Sequence, residues 1–352
     1  MSDNGQPLPA TASKKSLLPL DTLESDEKVR VGVFGAGYWG RKLIQEYLAL
    51  SKKRRDVRLT RVVDSDKDRL ATIAKELFLP MDMLETDITK ALNGNYIDAA
   101  HIATPNDTHY LIGMQALNAG KHVLIEKPMA MTMREAFKLA RNAEEKTVIL
   151  NVGHIFRFNN SIRQTKILLL DGTIGTPLTI RLSWEDLLDP PPTNRDIIFD
   201  LCPHPIDVLN YITDEWPTRV RAVGRSFTRR EAGREEVAEA LIELNGDAFA
   251  SIHVSWLYRG PKRRLIEITG DHGCLEVDAL NQKIKIYGLK GSEEPRFQAN
   301  NTIEDMITHF IMNITQHHPQ ENSALVGAMT VGVLTAMRQS MKTEQFVNVP
   351  HD

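Results

Sequence analysis

At 352 residues, 42% hydrophobic and 25% charged, with a formal net charge of −3, the chain has an ordinary globular composition and enough length for two hydrophobic cores. That charge balance gives no reason to expect nucleic acid or an anionic membrane surface as a partner. No apolar stretch approaches the about 20 residues that cross a bilayer, and two distant cysteines, Cys202 and Cys274, point to a reducing, cytoplasmic setting with no metal spacing.

Residues 1–28 are polar, contain Pro and Ser, and read as a flexible extension. The organised chain begins at Val29. A β-branched run leads into Gly35-Ala-Gly37-Tyr38-Trp39-Gly40, and apolar residues at helical spacing (Leu43, Ile44, Tyr47, Leu48) follow. A G-x-G-x-x-G between strand and helix is the dinucleotide fingerprint. The first glycine makes the tight turn, the second lets a pyrophosphate approach, and the third lets helix and strand pack closely. Trp39 fits either against a cofactor or against the next strand. The basic run Lys52–Arg55 reads as a solvated loop.

The second strand ends at Asp64, placed to accept hydrogen bonds from an adenosine ribose and to repel a 2′-phosphate, which favours NAD over NADP. Asp66 and Asp68 read as caps of the next helix. Two more strands, "YIDAAHIAT" and "KHVLIEK", flank an amphipathic helix that stops at Gly120. Gly35, Asp64, Thr104-Pro-Asn106 and Glu126-Lys127 each follow the last apolar residue of a βα unit. All four therefore gather at the carboxyl edge of one parallel sheet, where open α/β sheets bind ligands. Lys127 stands at the mouth of that cleft, and Pro128 after it is a place for a cis peptide. A surface ion pair is the plainer alternative for this lysine.

The second half is read as a helix near 160–170, seven short turn-separated strands between Pro177 and Leu289, and helices near 302–316 and 322–341. That pattern indicates a large antiparallel sheet. Asp200 and His204 are four residues apart, so a helix starting near Asp200 puts them on one face with Asp207 a turn further on. A histidine there can take a hydroxyl proton while hydride leaves the same carbon. The bland alternative makes Asp200 an N-cap and His204 a packed core residue. A metal site from Asp200, Cys202 and His204 is disfavoured, because residues two apart face different ways. Arg157 and Asn159 in "GHIFRFNNSI" are a second candidate cluster, while Phe156 and Phe158 read as core.

The glycine turn, "ATPNDTH", "AGKHVLIEKPMAMT" and "FDLCPHPIDVLNY" together resemble the Gfo/Idh/MocA family of nicotinamide-dependent sugar oxidoreductases, from about Val29 to the C-terminus. The resemblance implies an α/β chain: an NAD-binding Rossmann domain over residues 29–152 and an α+β substrate domain over 153–352. The second domain would carry a large, mostly antiparallel open sheet that joins a homodimer or homotetramer. It also implies cofactor contacts from the glycine turn, Asp64, Thr104, Asn106, His109, Glu126 and Lys127. His204 would act as acid/base, Asp200 would orient it or hold substrate, and Lys127 would hold the reacting oxygen. Asp207 would be a supporting carboxylate, and Arg157, Asn159 and Arg195 would bind substrate. Relatives often carry a glycine pair before this Asp; Ile197-Ile-Phe199 stand here instead, which leaves the pocket shape beside Asp200 open. The motifs look most like those of members that oxidise C3 of a UDP-linked amino sugar. A diphosphate is then expected on Arg157 and Arg195, although Arg195 reads equally well as a solvated loop residue. A free polyol dehydrogenase, a non-catalytic NAD- and sugar-sensing regulator and an imine reductase are the alternatives; the last has no use for an Asp-x-x-x-His pair.

Overall fold

The computed structural model describes residues 28–187, 196–228, 234–289 and 291–350. The expected extension at 1–28 lies outside these, apart from its last residue, and so does Arg195.

Six strands form the first sheet: β1 (Val29–Phe34), β2 (Val57–Val63), β3 (Leu84–Glu85), β4 (Ala99–Ile102), β5 (His122–Ile125) and β6 (Leu150–Val152). Their order is β3-β2-β1-β4-β5-β6 and every pairing is parallel. β1, β4 and β5 are buried on both faces, almost throughout, because helices cover both sides. The order reverses between β2 and β4 on either side of β1, which opens a crevice at the carboxyl ends.

The helices of this half are α1 (Tyr38–Lys53), α2 (Lys67–Leu77), α3 (Ile88–Asn93), α4 (His109–Asn118) and α5 (Met133–Glu145). α1 runs further than expected: Lys52 and Lys53 belong to its last turn, where cations complement the helix dipole. Lys53 also pairs with Glu304 at 2.9 Å, and Arg54 with Asp56 at 2.6 Å, so the basic run is a helix end with its own partners. Asp66 caps α2 by accepting from the Arg69 amide, and Asp68 lies in its first turn.

Beyond β6 come α6 (Asn160–Leu170), β7 (Pro177–Glu185), α7 (Ile197–Leu201), α8 (Pro203–Thr213), β8 (Arg219–Arg225), β9 (Val237–Glu243), β10 (Phe249–Ser255), β11 (Arg263–Gly270), β12 (Gly273–Asp278), β13 (Lys283–Gly288), β14 (Gly291–Glu293), α9 (Thr302–Gln316), α10 (Ala324–Thr343) and β15 (Val347–Asn348). The second sheet has nine strands in the order β14-β13-β12-β11-β7-β10-β9-β8-β15. Only β7 and β10 pair in parallel; the other neighbours are antiparallel. Alternation along β9 puts Ala238, Ala240 and Ile242 into the core and leaves Leu241 half exposed on the other face.

One core lies between this sheet and α6, α7, α8 and α10. Two others cover the faces of the first sheet, and here the C-terminal helices return to the N-terminal half. Met306, Ile307 and Phe310 of α9 pack beside Leu43 and Tyr47 of α1, while Ala328 and Val331 of α10 pack beside Ala136 and Leu139 of α5. The two sheets are thus held together by apolar burial as well as by the chain crossing between them.

Among the described residues, no helix is long and apolar enough to cross a membrane, and no group of three or more His, Cys, Asp or Glu gathers as a metal site.

Candidate active site

The site is built at the carboxyl edge of the first sheet. β1 leads into Gly35, whose φ of +97° lies in the region that suits glycine, and an added Cβ would press within 2.6 Å of the Ala103 carbonyl oxygen. At Gly40 a Cβ would fall on the Gly35 carbonyl oxygen, so the turn and α1 pack as closely as the fingerprint requires. Gly37 caps α1 without any side-chain bond and faces open space. A helix start with free N–H groups and no Cβ in front of it fits a pyrophosphate.

Asp64 is buried, and its carboxylate accepts from the Ala36 amide (2.8 Å), the Asp66 amide (2.9 Å) and Nη1 of Arg69, 3.1 Å from both oxygens. Its position at the strand end is the expected one, and Arg69 is a partner the sequence reading did not foresee. Asp64→Ser is expected to lower NAD affinity about tenfold, the worth of a charged hydrogen bond, and to release Arg69 for a 2′-phosphate. NADP binding should rise correspondingly. Binding titrations with both nucleotides check this, and an unchanged preference would remove Asp64 from the role.

The loop after β4 divides its work. Asn106 lines the cavity, whereas His109 faces inward: Nδ1 lies 2.8 Å from the Pro128 carbonyl oxygen and Nε2 2.9 Å from that of Thr104. Thr104 Oγ1 is 2.7 Å from Thr108 Oγ1. His109 and Thr104, expected at the cofactor, are therefore joined to each other, and His109 fixes the loop against the turn that carries Lys127. That turn contains a cis Lys127–Pro128 peptide.

Glu126 is buried beneath the cavity, with Oε1 3.3 Å from His101 Nε2, and His101 Nδ1 is 3.1 Å from the Tyr47 hydroxyl. Burial alone would raise the Glu126 carboxyl, but the bond to His101, its charge and that of Lys127 outweigh this and hold it below the usual carboxylate value. Lys127 donates from Nζ to the Asp200 carbonyl oxygen at 2.7 Å and lies 3.7 Å from Asp200 Oδ1. Its partner is thus at the site, across the cleft from the first sheet.

Asp200 and His204 do not share one helix. Pro203 and Pro205 lack the N–H groups that would bond to the carbonyls of Phe199 and Leu201, so α7 ends at Leu201 and α8 starts at Pro203. The cap of α7 is Asp196, whose side chain accepts from the Phe199 amide; Asp200 lies inside that helix. Asp200 and His204 nevertheless line the same cavity. His204 Nδ1 is buried without a hydrogen-bond partner, so Asp200 does not orient the ring through it. A T-shaped contact with Phe156, centroids 5.2 Å apart, holds the imidazole instead. Burial first, then the charges of Lys127, Arg264, His154 and Lys262, push His204 well below the ordinary imidazole value. It is a neutral base in a positive field.

Arg157 and Asn159 are not at the cavity. Arg157 is buried, bonded from Nε to Asp207 at 2.6 Å, from Nη2 to Asn210 at 2.6 Å and from Nη1 to the Glu321 carbonyl at 3.1 Å. Asn159 caps α6 and donates to the Ala279 carbonyl. These side chains are consumed by internal partners, a correction to their expected substrate contacts, and Asp207 is the buried counter-charge of Arg157 rather than a group at the substrate.

The cavity, about 340 Å3, is lined from the first sheet by Tyr38, Trp39, Asn106, Glu126 and Lys127, from the following loop by Ile155 and Phe156, and from the second half by Asp200, His204, Lys262, Arg264 and Leu280. Lys262 and Arg264 were missed. Their readable signal was the alternate spacing of two cations in Lys262-Arg263-Arg264 at a strand start.

Residues 29–154 match the profile of an oxidoreductase family with an NAD-binding Rossmann fold, and residues 162–276 match that of the GFO/IDH/MocA C-terminal domain. UDP-N-acetylglucosamine 3-dehydrogenase of Acidithiobacillus ferrooxidans is 29% identical over 328 residues, spanning 89% of this chain and 97% of that protein. A crystal form of that enzyme superposes with a TM-score of 0.79 over 90% of this chain and 98% of the other, at 27% identity. Myo-inositol 2-dehydrogenase of Thermotoga maritima is 24% identical over 336 residues, 91% of this chain and 98% of that one. Levoglucosan dehydrogenase, in complex with NADH and levoglucosan, shares the fold with a TM-score of 0.83 at 18% identity, over 92% of this chain and 100% of that one.

Proposed function

Because this chain belongs to the Gfo/Idh/MocA family of NAD-binding sugar oxidoreductases, we propose that it oxidises C3 of a UDP-linked amino sugar such as UDP-N-acetylglucosamine to the ketone. The observation that carries the reading is the meeting of Lys127, Asp200 and His204 in one cavity at the carboxyl edge of the nucleotide-binding sheet. The choice of substrate draws on the Acidithiobacillus enzyme, which this chain matches along nearly its whole length.

We assign residues 29–152 to nucleotide binding and 153–352 to substrate binding and assembly. NAD, when bound, accepts the hydride. The glycine turn at Gly35, Gly37 and Gly40 would hold its pyrophosphate and Asp64 its ribose, with Trp39, Asn106 and Glu126 along the wall toward the substrate. His204, held neutral, takes the hydroxyl proton at Nε2, because Nδ1 is buried away from the substrate oxygen. Lys127 donates to the same oxygen and offsets the negative charge that grows as the proton leaves. Asp200 acts through Lys127, holding its ammonium in place with a carbonyl and a carboxylate. The outer face of the nine-stranded sheet, with Val223, Leu241 and Phe249 half exposed, is the surface on which copies of the chain would associate.

Retention of a lysine, an aspartate and a histidine at the cavity favours catalysis over sensing. A panel of UDP-sugars, free hexoses and inositols, mixed with NAD and read by NADH absorbance, is expected to give product with UDP-N-acetylglucosamine or a close relative and little with the free compounds. Activity confined to free polyols would sink the nucleotide-sugar reading and leave the dehydrogenase standing.

A further inference from the structure

The catalytic groups above leave two cations of the cavity wall without a role. Lys262 and Arg264 stand at alternate positions where β11 begins, while Arg263 between them points outward and pairs with Glu185. Arg264 is buried. Its Nη1 donates to the carbonyls of Glu185 at 3.0 Å and Arg263 at 2.6 Å, which ties β11 to the end of β7. Its Nη2 is 3.6 Å from Asp186 Oδ2, outside hydrogen-bond reach. The same oxygen is 2.8 Å from Nζ of Lys262, whose side chain is 48% exposed. Asp186 therefore faces two cations, one deep in the wall and one toward solvent, and the charge of Asp200 also acts on Arg264. The two carbonyl bonds of Arg264 are enough to staple the strands, and Lys262, tied to Asp186, takes no part in that staple. The positive field felt by His204 arises in part from these two groups.

We propose that Lys262 and Arg264 form an anion-binding wall that takes the diphosphate of a nucleotide-linked sugar while the sugar ring lies against Lys127 and His204. The inference rests on the nucleotide-sugar reading and moves the phosphate contacts from Arg157, which is spent on Asp207, to β11. A phosphoryl oxygen can accept from Lys262 Nζ and from Arg264 Nη2, whose ion pair with Asp186 is long at 3.6 Å, and its charge complements the two cations that share that carboxylate. A neutral polyol offers no such charge, so the wall is a specificity element as well as a binding one.

Calorimetric titration of the NAD complex with UDP and with uridine tests this. UDP is expected to bind at least about tenfold more tightly than uridine, from one added charged hydrogen bond. Arg264→Ala removes the carbonyl bonds that tie β11 to β7, so Lys262→Gln is the informative variant: it should lose about tenfold in UDP affinity, leave uridine nearly unaffected, and be rescued by Lys262→Arg. Equal affinity for UDP and uridine, or a Lys262→Gln variant that binds UDP as the wild type does, would overturn the inference. The two readings separate cleanly. UDP binding that depends on Lys262 without NADH from UDP-N-acetylglucosamine leaves the wall and defeats the reaction. NADH formed with an unchanged KM by Lys262→Gln leaves the reaction and defeats the wall.

Discussion

Lys127→Ala is expected to cut turnover about 100-fold or more with NAD binding nearly intact, the loss typical of a positioned charge that acts on a reacting oxygen in a dry site. The lysine is 16% exposed and held by the Asp200 carbonyl and carboxylate, so its ammonium is already aimed before substrate arrives. The variant carries a second signature. After burial, the charge of Lys127 is the largest influence pushing His204 down, so its removal lets the imidazole rise toward its ordinary value of 6.5. A base with a higher pKa is protonated sooner as pH falls. The acid limb of the residual kcat profile should therefore move to higher pH than in the wild type. Steady-state rates across pH check both effects, and a variant within a few-fold of wild type would take Lys127 out of the chemistry.

His204→Ala is expected to lose turnover on a similar scale and to flatten the pH profile, because the group that titrates is gone. The sign follows from burial. The wild-type imidazole is held neutral well below 6.5, so the base form persists as pH falls through that value and the wild-type acid limb lies beneath it. An alanine variant with a wild-type rate, or one that keeps the same acid limb, would place the base elsewhere. His154 is the control. It is also buried and depressed, first by burial, but it sits against Asp207 at 3.7 Å and does not line the cavity.

Much of the nucleotide half was legible because it depends on local chemistry. A strand followed by glycine, a strand followed by Asp64 and a strand followed by Glu126-Lys127 each announce a βα junction, and parallel order then brings those junctions to one edge. The nine-stranded sheet was legible as a series of short alternating strands, but its order was not. β7 pairs with β10 and β11 across intervening chain, and no local signal sets that choice. β3, β14 and β15 are two or three residues long and have no periodicity to read.

At the site, errors arose where long-range pairing or backbone chemistry overrode spacing. The four-residue step from Asp200 to His204 suggested one helix, yet Pro203 and Pro205 break it, and both side chains still reach the cavity. Arg157 looked like a substrate ligand until Asp207, fifty residues further on, proved to be its partner. Lys262 and Arg264, and not Arg157, are the cations from the second half that line the cavity.

The hydride itself can be followed with an isotope. UDP-N-acetylglucosamine deuterated at C3 is incubated with the protein and NAD, and both products are examined by mass spectrometry and NMR. One deuterium is expected on C4 of the reduced nicotinamide and a ketone at C3 of the sugar, with transfer slowed about 100-fold or more in Lys127→Ala and His204→Ala. Reduced nicotinamide that carries no deuterium, or label transferred at the wild-type rate by either variant, would contradict this reaction.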